Sequence, residues 1–172
     1  MVAFMSGKYR AISSIAFALF MGLLATALMA GQATQPAGKL VLFGDINAFA
    51  APTNPNPCTL RNRFKKGELV GFRLYAVDGG TGDPEASAEI TVHISSGGRT
   101  YDLPTLFRGV PHKTPEGRDM PIRAGMWTTK WVVPDDAPTG TVDLSATARD
   151  KFGRTAQWKP MGGEPSLLTI VP

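Results

Sequence analysis

A single cysteine, Cys58, excludes an intrachain disulfide framework, a cysteine-only zinc site and any Cys-x-x-Cys redox motif. Two histidines, His93 and His112, leave little room for a histidine-rich metal centre. No Gly-x-Ser-x-Gly nucleophile elbow occurs. Nothing after residue 34 keeps a helical period, so helical and coiled-coil architectures are not expected. Glycine (19) and proline (14) are too few for a low-complexity chain. With 43% hydrophobic and 19% charged residues, the 172-residue chain can build a packed core.

The longest uncharged apolar run, residues 12–30, follows Lys8 and Arg10. A short basic region, an apolar region and the small residues Gly31 and Ala33 together predict a secretory signal helix over 1–33. Cleavage after Ala33 leaves a mature domain over 34–172; the alternative is an uncleaved membrane anchor. The expected location is periplasmic or secreted. Removing 1–33 leaves 16 basic and 14 acidic residues, so the alkaline balance is no argument for nucleic-acid binding.

From residue 39 onward, short runs alternate apolar and polar side chains between Gly/Pro/Asp clusters, which is the pattern of strands and turns. Val70, Phe72, Leu74 and Ala76 share one face; so do Ile90, Val92 and Ile94, then Trp127, Thr129, Trp131 and Val133, then Val142, Leu144, Ala146 and Ala148. Ser96-Gly97-Gly98 predicts a tight hairpin turn. Pro104 predicts that strand 99–107 is an edge strand or is broken. Residues 51–57 predict a rigid proline-rich loop. The expected fold class is all-β, an antiparallel β-sandwich of about seven or eight strands.

The segment Trp131-Val132-Val133-Pro134, the Pro138-Thr139-Gly140 turn, the strand Val142-x-Leu144-x-Ala146-x-Ala148 and Asp150-x-x-Gly153-x-Thr155 resemble bacterial immunoglobulin-like or fibronectin-III-like β-sandwiches. Cys58 followed by Gly67-Glu68-Leu69-Val70 is similar to small secreted bacterial proteins of that build. The resemblance implies an immunoglobulin-like strand arrangement without the inter-sheet disulfide, and says almost nothing about activity.

The residues that could carry function fall into four groups. Turn acids such as Asp78, Asp83, Glu85, Asp135, Asp136 and Asp150 are expected to hydrogen-bond their own backbone; a calcium site from Asp78, Asp83 and Glu85 has suitable oxygens but no recognised loop spacing. Cys58, His112 and Met120, with His93, Met126 and Met161 as further ligand types, include donors that copper prefers. The basic run around Arg61, Arg63, Lys65 and Lys66 is a solvated turn or an electrostatic contact, with Phe64 either an apolar anchor or a core residue. The 108–124 loop, with Arg108, His112, Arg118 and Arg123, is the leading interface, because loops longer than about 12–15 residues are often functional.

The expected function is a non-catalytic interaction module without a cofactor, an accessory subunit of an envelope or periplasmic protein assembly. The partner is another protein, not nucleic acid; membrane contact arises only through an uncleaved leader. The alternative is a periplasmic copper-type metal-handling or redox protein centred on Cys58.

Overall fold

The computed structural model describes residues 36, 38–49, 58–114, 116–123, 125–163 and 166–172. The expected signal helix and the proline-rich 51–57 loop lie outside them. The described chain is all-β: β1 Leu40–Phe49, β2 Cys58–Leu60, β3 Arg63–Lys65, β4 Leu69–Asp78, β5 Glu89–Ser96, β6 Arg99–Pro104, β7 Leu106–Phe107, β8 Met126–Val132, β9 Gly140–Thr141, β10 Asp143–Arg149, β11 Thr155–Trp158 and β12 Thr169–Val171. Three open sheets form, in the orders β2-β1-β4-β8-β7, β11-β10-β5-β6 and β3-β12-β9. Every pairing is antiparallel except β3 with β12.

The alternation explains which side chains meet. Val70, Phe72, Leu74 and Ala76 of β4, Ile90, Val92 and Ile94 of β5, Trp127 and Trp131 of β8, and Leu144, Ala146 and Ala148 of β10 are all buried in one core. Tyr101 of β6 tilts against Trp131 with ring centres 5.5 Å apart, so the edge of one sheet packs onto a central strand of the other. Each large apolar side chain so buried contributes about 1.5–3 kcal/mol.

Among the described residues, twelve strands replace the expected seven or eight: two long runs are each split in two, and residues 58–65 add the short strands β2 and β3. Pro104 ends β6 in the four-stranded sheet, and Leu106 begins β7 in the five-stranded sheet. Between them Thr105 donates both its N–H (3.1 Å) and its hydroxyl (2.9 Å) to the carbonyl of Ile90, anchoring the crossover. The 141–150 run breaks at Val142, whose N–H donates to the carbonyl of Leu168, just before β12.

The β5–β6 hairpin closes as expected on Gly97 (φ 58°) and Gly98 (φ 76°), with Ser96 opposite Arg99. Two consecutive left-handed residues match the twist of the strands they join. A Cβ at Gly98 would touch nothing within 4 Å, whereas one at Gly97 would lie 2.9 Å from Pro138 Cδ. Gly98→Ala is therefore expected to cost about 1 kcal/mol of backbone strain, and Gly97→Ala more. Urea unfolding of the two variants checks that order.

Candidate functional site

The basic run is more structured than a solvated turn. Residues 63–65 form β3, and alternation turns Phe64 inward, where it is fully buried. Phe64 is thus a core residue, not an exposed anchor, because a strand that pairs with β12 must bury one of its two faces. Arg61 lies over the Phe64 ring at 4.7 Å and donates to Glu68 Oε2 at 2.5 Å. Glu68 also accepts the Lys65 N–H, which, ahead of Arg61, holds its carboxyl below the usual range. Arg63 remains exposed on the outer face of β3.

Cys58, His112 and Met120 are not brought together. Cys58 lies on β2, at one edge of the five-stranded sheet, and the 108–124 loop leaves β7 at the opposite edge. Four strand spacings separate the two, roughly 19 Å at about 4.8 Å each, whereas the ligands of one metal ion all lie within about 2–2.3 Å of it. The sheet order therefore lends no support to a copper-type set, which rested on donor chemistry alone. No group of three or more His, Cys, Asp or Glu among the described residues is placed to hold a metal ion.

Two of the three acids weighed as calcium ligands have a different partner. Asp78 and Glu85 both accept hydrogen bonds from Arg154, at 2.5 and 2.9 Å, and Asp150 accepts from Arg154 Nε at 2.6 Å. Arg154 also donates to the carbonyl of Gly38 at 2.7 Å. The guanidinium is the cation of this site and staples three turns at one end of the domain. Asp78 and Asp150 also cap their own turns, as expected, by accepting the N–H groups of Gly80 and Thr81, and of Phe152 and Arg154.

The long loop is internally ordered. Thr114 N–H donates to Arg118 O and Met120 N–H to His112 O, and Lys113 bridges to Asp119, so 112–120 folds back as a small antiparallel excursion. His112 and Met120 face each other across it. His112 Nδ1 lies 2.9 Å from Val110 O and so carries the proton; its buried Nε2 has no partner among the described residues. The loop's acids are already used, Glu116 by Arg118 at 3.7 Å and Asp119 by Lys113 at 3.3 Å. All four of those groups are exposed, where such pairs add little. Arg123 donates its backbone N–H to Arg108 O, and its exposed side chain has no ion-pair partner among the described residues. Arg108 itself is half-buried, and burial alone pushes its pKa down.

One constellation was missed in the sequence. His93 Nδ1 sits 2.7 Å from Asp102 and its Nε2 2.8 Å from the hydroxyl of Thr147. The signal was present: a two-residue turn at Gly97-Gly98 places residue 93 opposite residue 102. The order carboxylate–imidazole–hydroxyl is that of a nucleophile with its base and orienting acid. Thr147, however, lies on β10 between β5 and β11, paired with Thr91 and Gln157. Ladder bonds on both sides use the backbone donors there, so none is free to stabilise an oxyanion. The arrangement is a fixed polar cluster on an otherwise polar sheet face that also carries Thr91, Ser145, Arg149 and Gln157.

The outer face of the five-stranded sheet has the opposite character. Phe43 stacks on Tyr75 with ring centres 5.2 Å apart, and Tyr75 pairs in register with Met126. Arg108 N–H donates to Met126 O, extending the row Phe43–Tyr75–Met126 from three strands to the residue that follows β7. Arg73 makes a bidentate contact to Asp45 at 2.8 Å in the next row. Phe43 is 47% exposed, Leu106 54% and Ile122 56%.

No family model matches the chain, and no curated protein matches it. Among solved structures, a DUF4466 family protein from Parabacteroides merdae is similar at 14% identity and a TM-score of 0.38, over 74% of this chain. The chain spans 44% of the length of that structure.

Proposed function

We propose that the protein is an exported, non-catalytic interaction module of immunoglobulin-like sandwich build, an accessory subunit of a periplasmic or envelope protein assembly. The observation that carries this reading is the contrast between the two outer sheet faces. The four-stranded sheet exposes hydroxyls, amides and charges, as an antiparallel sheet facing water should. The five-stranded sheet exposes Val41, Phe43, Leu106 and Val132, and the adjoining loop exposes Val110 and Ile122. Of these, Phe43 continues through Tyr75 and Met126 as an unbroken row, and continuous exposed apolar surface rimmed by polar groups marks interaction sites. Export is supported by the basic and apolar pattern of residues 1–33.

Photo-cross-linking in the native envelope tests this. A photoreactive residue at position 43 or 122 is expected to trap one discrete protein partner, and one at Gln157, on the polar face, none. Equal trapping at all three positions, or at none, would overturn the reading.

A further inference from the structure

Resting on that reading, we infer that the partner presents a carboxylate set among apolar side chains, received by Arg108 at the end of the Phe43–Tyr75–Met126 row. A guanidinium that loses water without gaining a counter-ion is costly. Arg108 is half-buried, yet no carboxylate, carbonyl or aromatic ring among the described residues contacts its side chain. The acids nearest in sequence, Glu116 and Asp119, already pair with Arg118 and Lys113. Arg123, one hydrogen bond away along the backbone, adds a second uncompensated positive charge. Leu106 and Ile122, their near neighbours in sequence, are exposed apolar side chains.

The position of Arg108 is also set in advance. A Cβ at Gly109 would fall 2.2 Å from the Phe107 ring, so the chain turns tightly over that ring as it leaves β7. Phe107 in turn packs on Trp127 with centres 4.6 Å apart. A cation held at the rim of an apolar row, beside a turn packed closely on the Phe107 ring, is poised for a charge-assisted, bidentate contact. Arginine is also favoured at the centres of protein interfaces. An acidic and apolar protein segment satisfies both halves of the surface; a basic segment would leave Arg108 opposed by like charge.

The test is selection of random displayed peptides on the full chain, followed by affinity measurement on the enriched sequences. Enriched peptides are expected to carry Asp or Glu flanked by Leu, Ile or Phe. They should lose more than tenfold in affinity with Arg108→Met, and bind Arg63→Met, an exposed arginine on another sheet, as the unaltered chain. Methionine keeps the length of the side chain, and circular dichroism checks that Arg108→Met folds. Enrichment of basic or uncharged peptides, insensitivity to Arg108→Met, or no enrichment at all would overturn the inference. The interaction reading stands apart from those results, because it fails only if positions 43, 122 and 157 trap equally or none of them traps a partner.

Discussion

Arg154→Met is expected to lower the melting temperature by on the order of 10 °C, as breaking a buried pair strands the charges left behind, and to reverse the response of stability to mild acid. Among the described residues, Arg154 is the only cation holding Asp78, Glu85 and Asp150, whose side chains are largely hidden from water. Removing it leaves three carboxylates facing one another around the Gly38 carbonyl. In the intact protein, Arg154 and then the Gly80 N–H hold the Asp78 carboxyl below its ordinary range. Burial raises the Asp150 carboxyl, but Arg154 and the backbone N–H groups of Arg154 and Phe152 outweigh it, and the net direction is down. A depressed folded-state pKa contributes stability that is complete above the unfolded value of about 3.9 and is lost as the pH falls through the folded value. The unaltered protein should therefore hold its stability from pH 7 to about pH 4 and lose it below. Without Arg154 the crowded carboxylates bind protons more readily folded than unfolded, so the variant should become more stable between pH 7 and about pH 5. Thermal melts of both proteins across this range check the sign. A variant whose melting temperature matches the unaltered protein, or falls in parallel with it, would refute the role assigned to Arg154.

Phe72→Ala is expected to cost roughly 3–5 kcal/mol, the range for deleting a buried phenyl ring and leaving a cavity. Phe72 is fully buried at the middle of β4, the strand between β1 and β8 in the five-stranded sheet. It faces the same core as Val92 and Ala146 of the opposing sheet. Paired strands on both sides hold the backbone in place, so the surroundings have little freedom to collapse into the space. Phe43→Ala on the opposite face of the same sheet removes a ring of the same size that is 47% exposed. It should cost about 1 kcal/mol or less, mostly from the lost stack on Tyr75. Chemical unfolding of the pair measures the difference, and equal losses would contradict the assignment of the two faces.

The sequence by itself determined the all-β class, the inward face of each long strand and the Gly97-Gly98 turn. These are local properties: side-chain direction repeats every two residues, and a turn with two left-handed positions requires glycine in adjacent places. Alternation therefore picked out Phe72, Ile94, Trp131 and Leu144 as core without knowledge of their neighbours. The His93–Asp102 pair was within reach for the same reason, since turn length sets hairpin register. Tertiary structure alone decided the rest. Pro104 marked a break but not the passage of the chain from one sheet to the other. Phe64 could be anchor or core until β3 paired with β12, a partner more than one hundred residues away in sequence. The separation of Cys58 from His112 and Met120 followed from the order of strands in the sheet, and the capture of Asp78 and Glu85 by Arg154 from the meeting of three turns. Charge and coordination depend on distance in space, and pairings between remote strands set that distance.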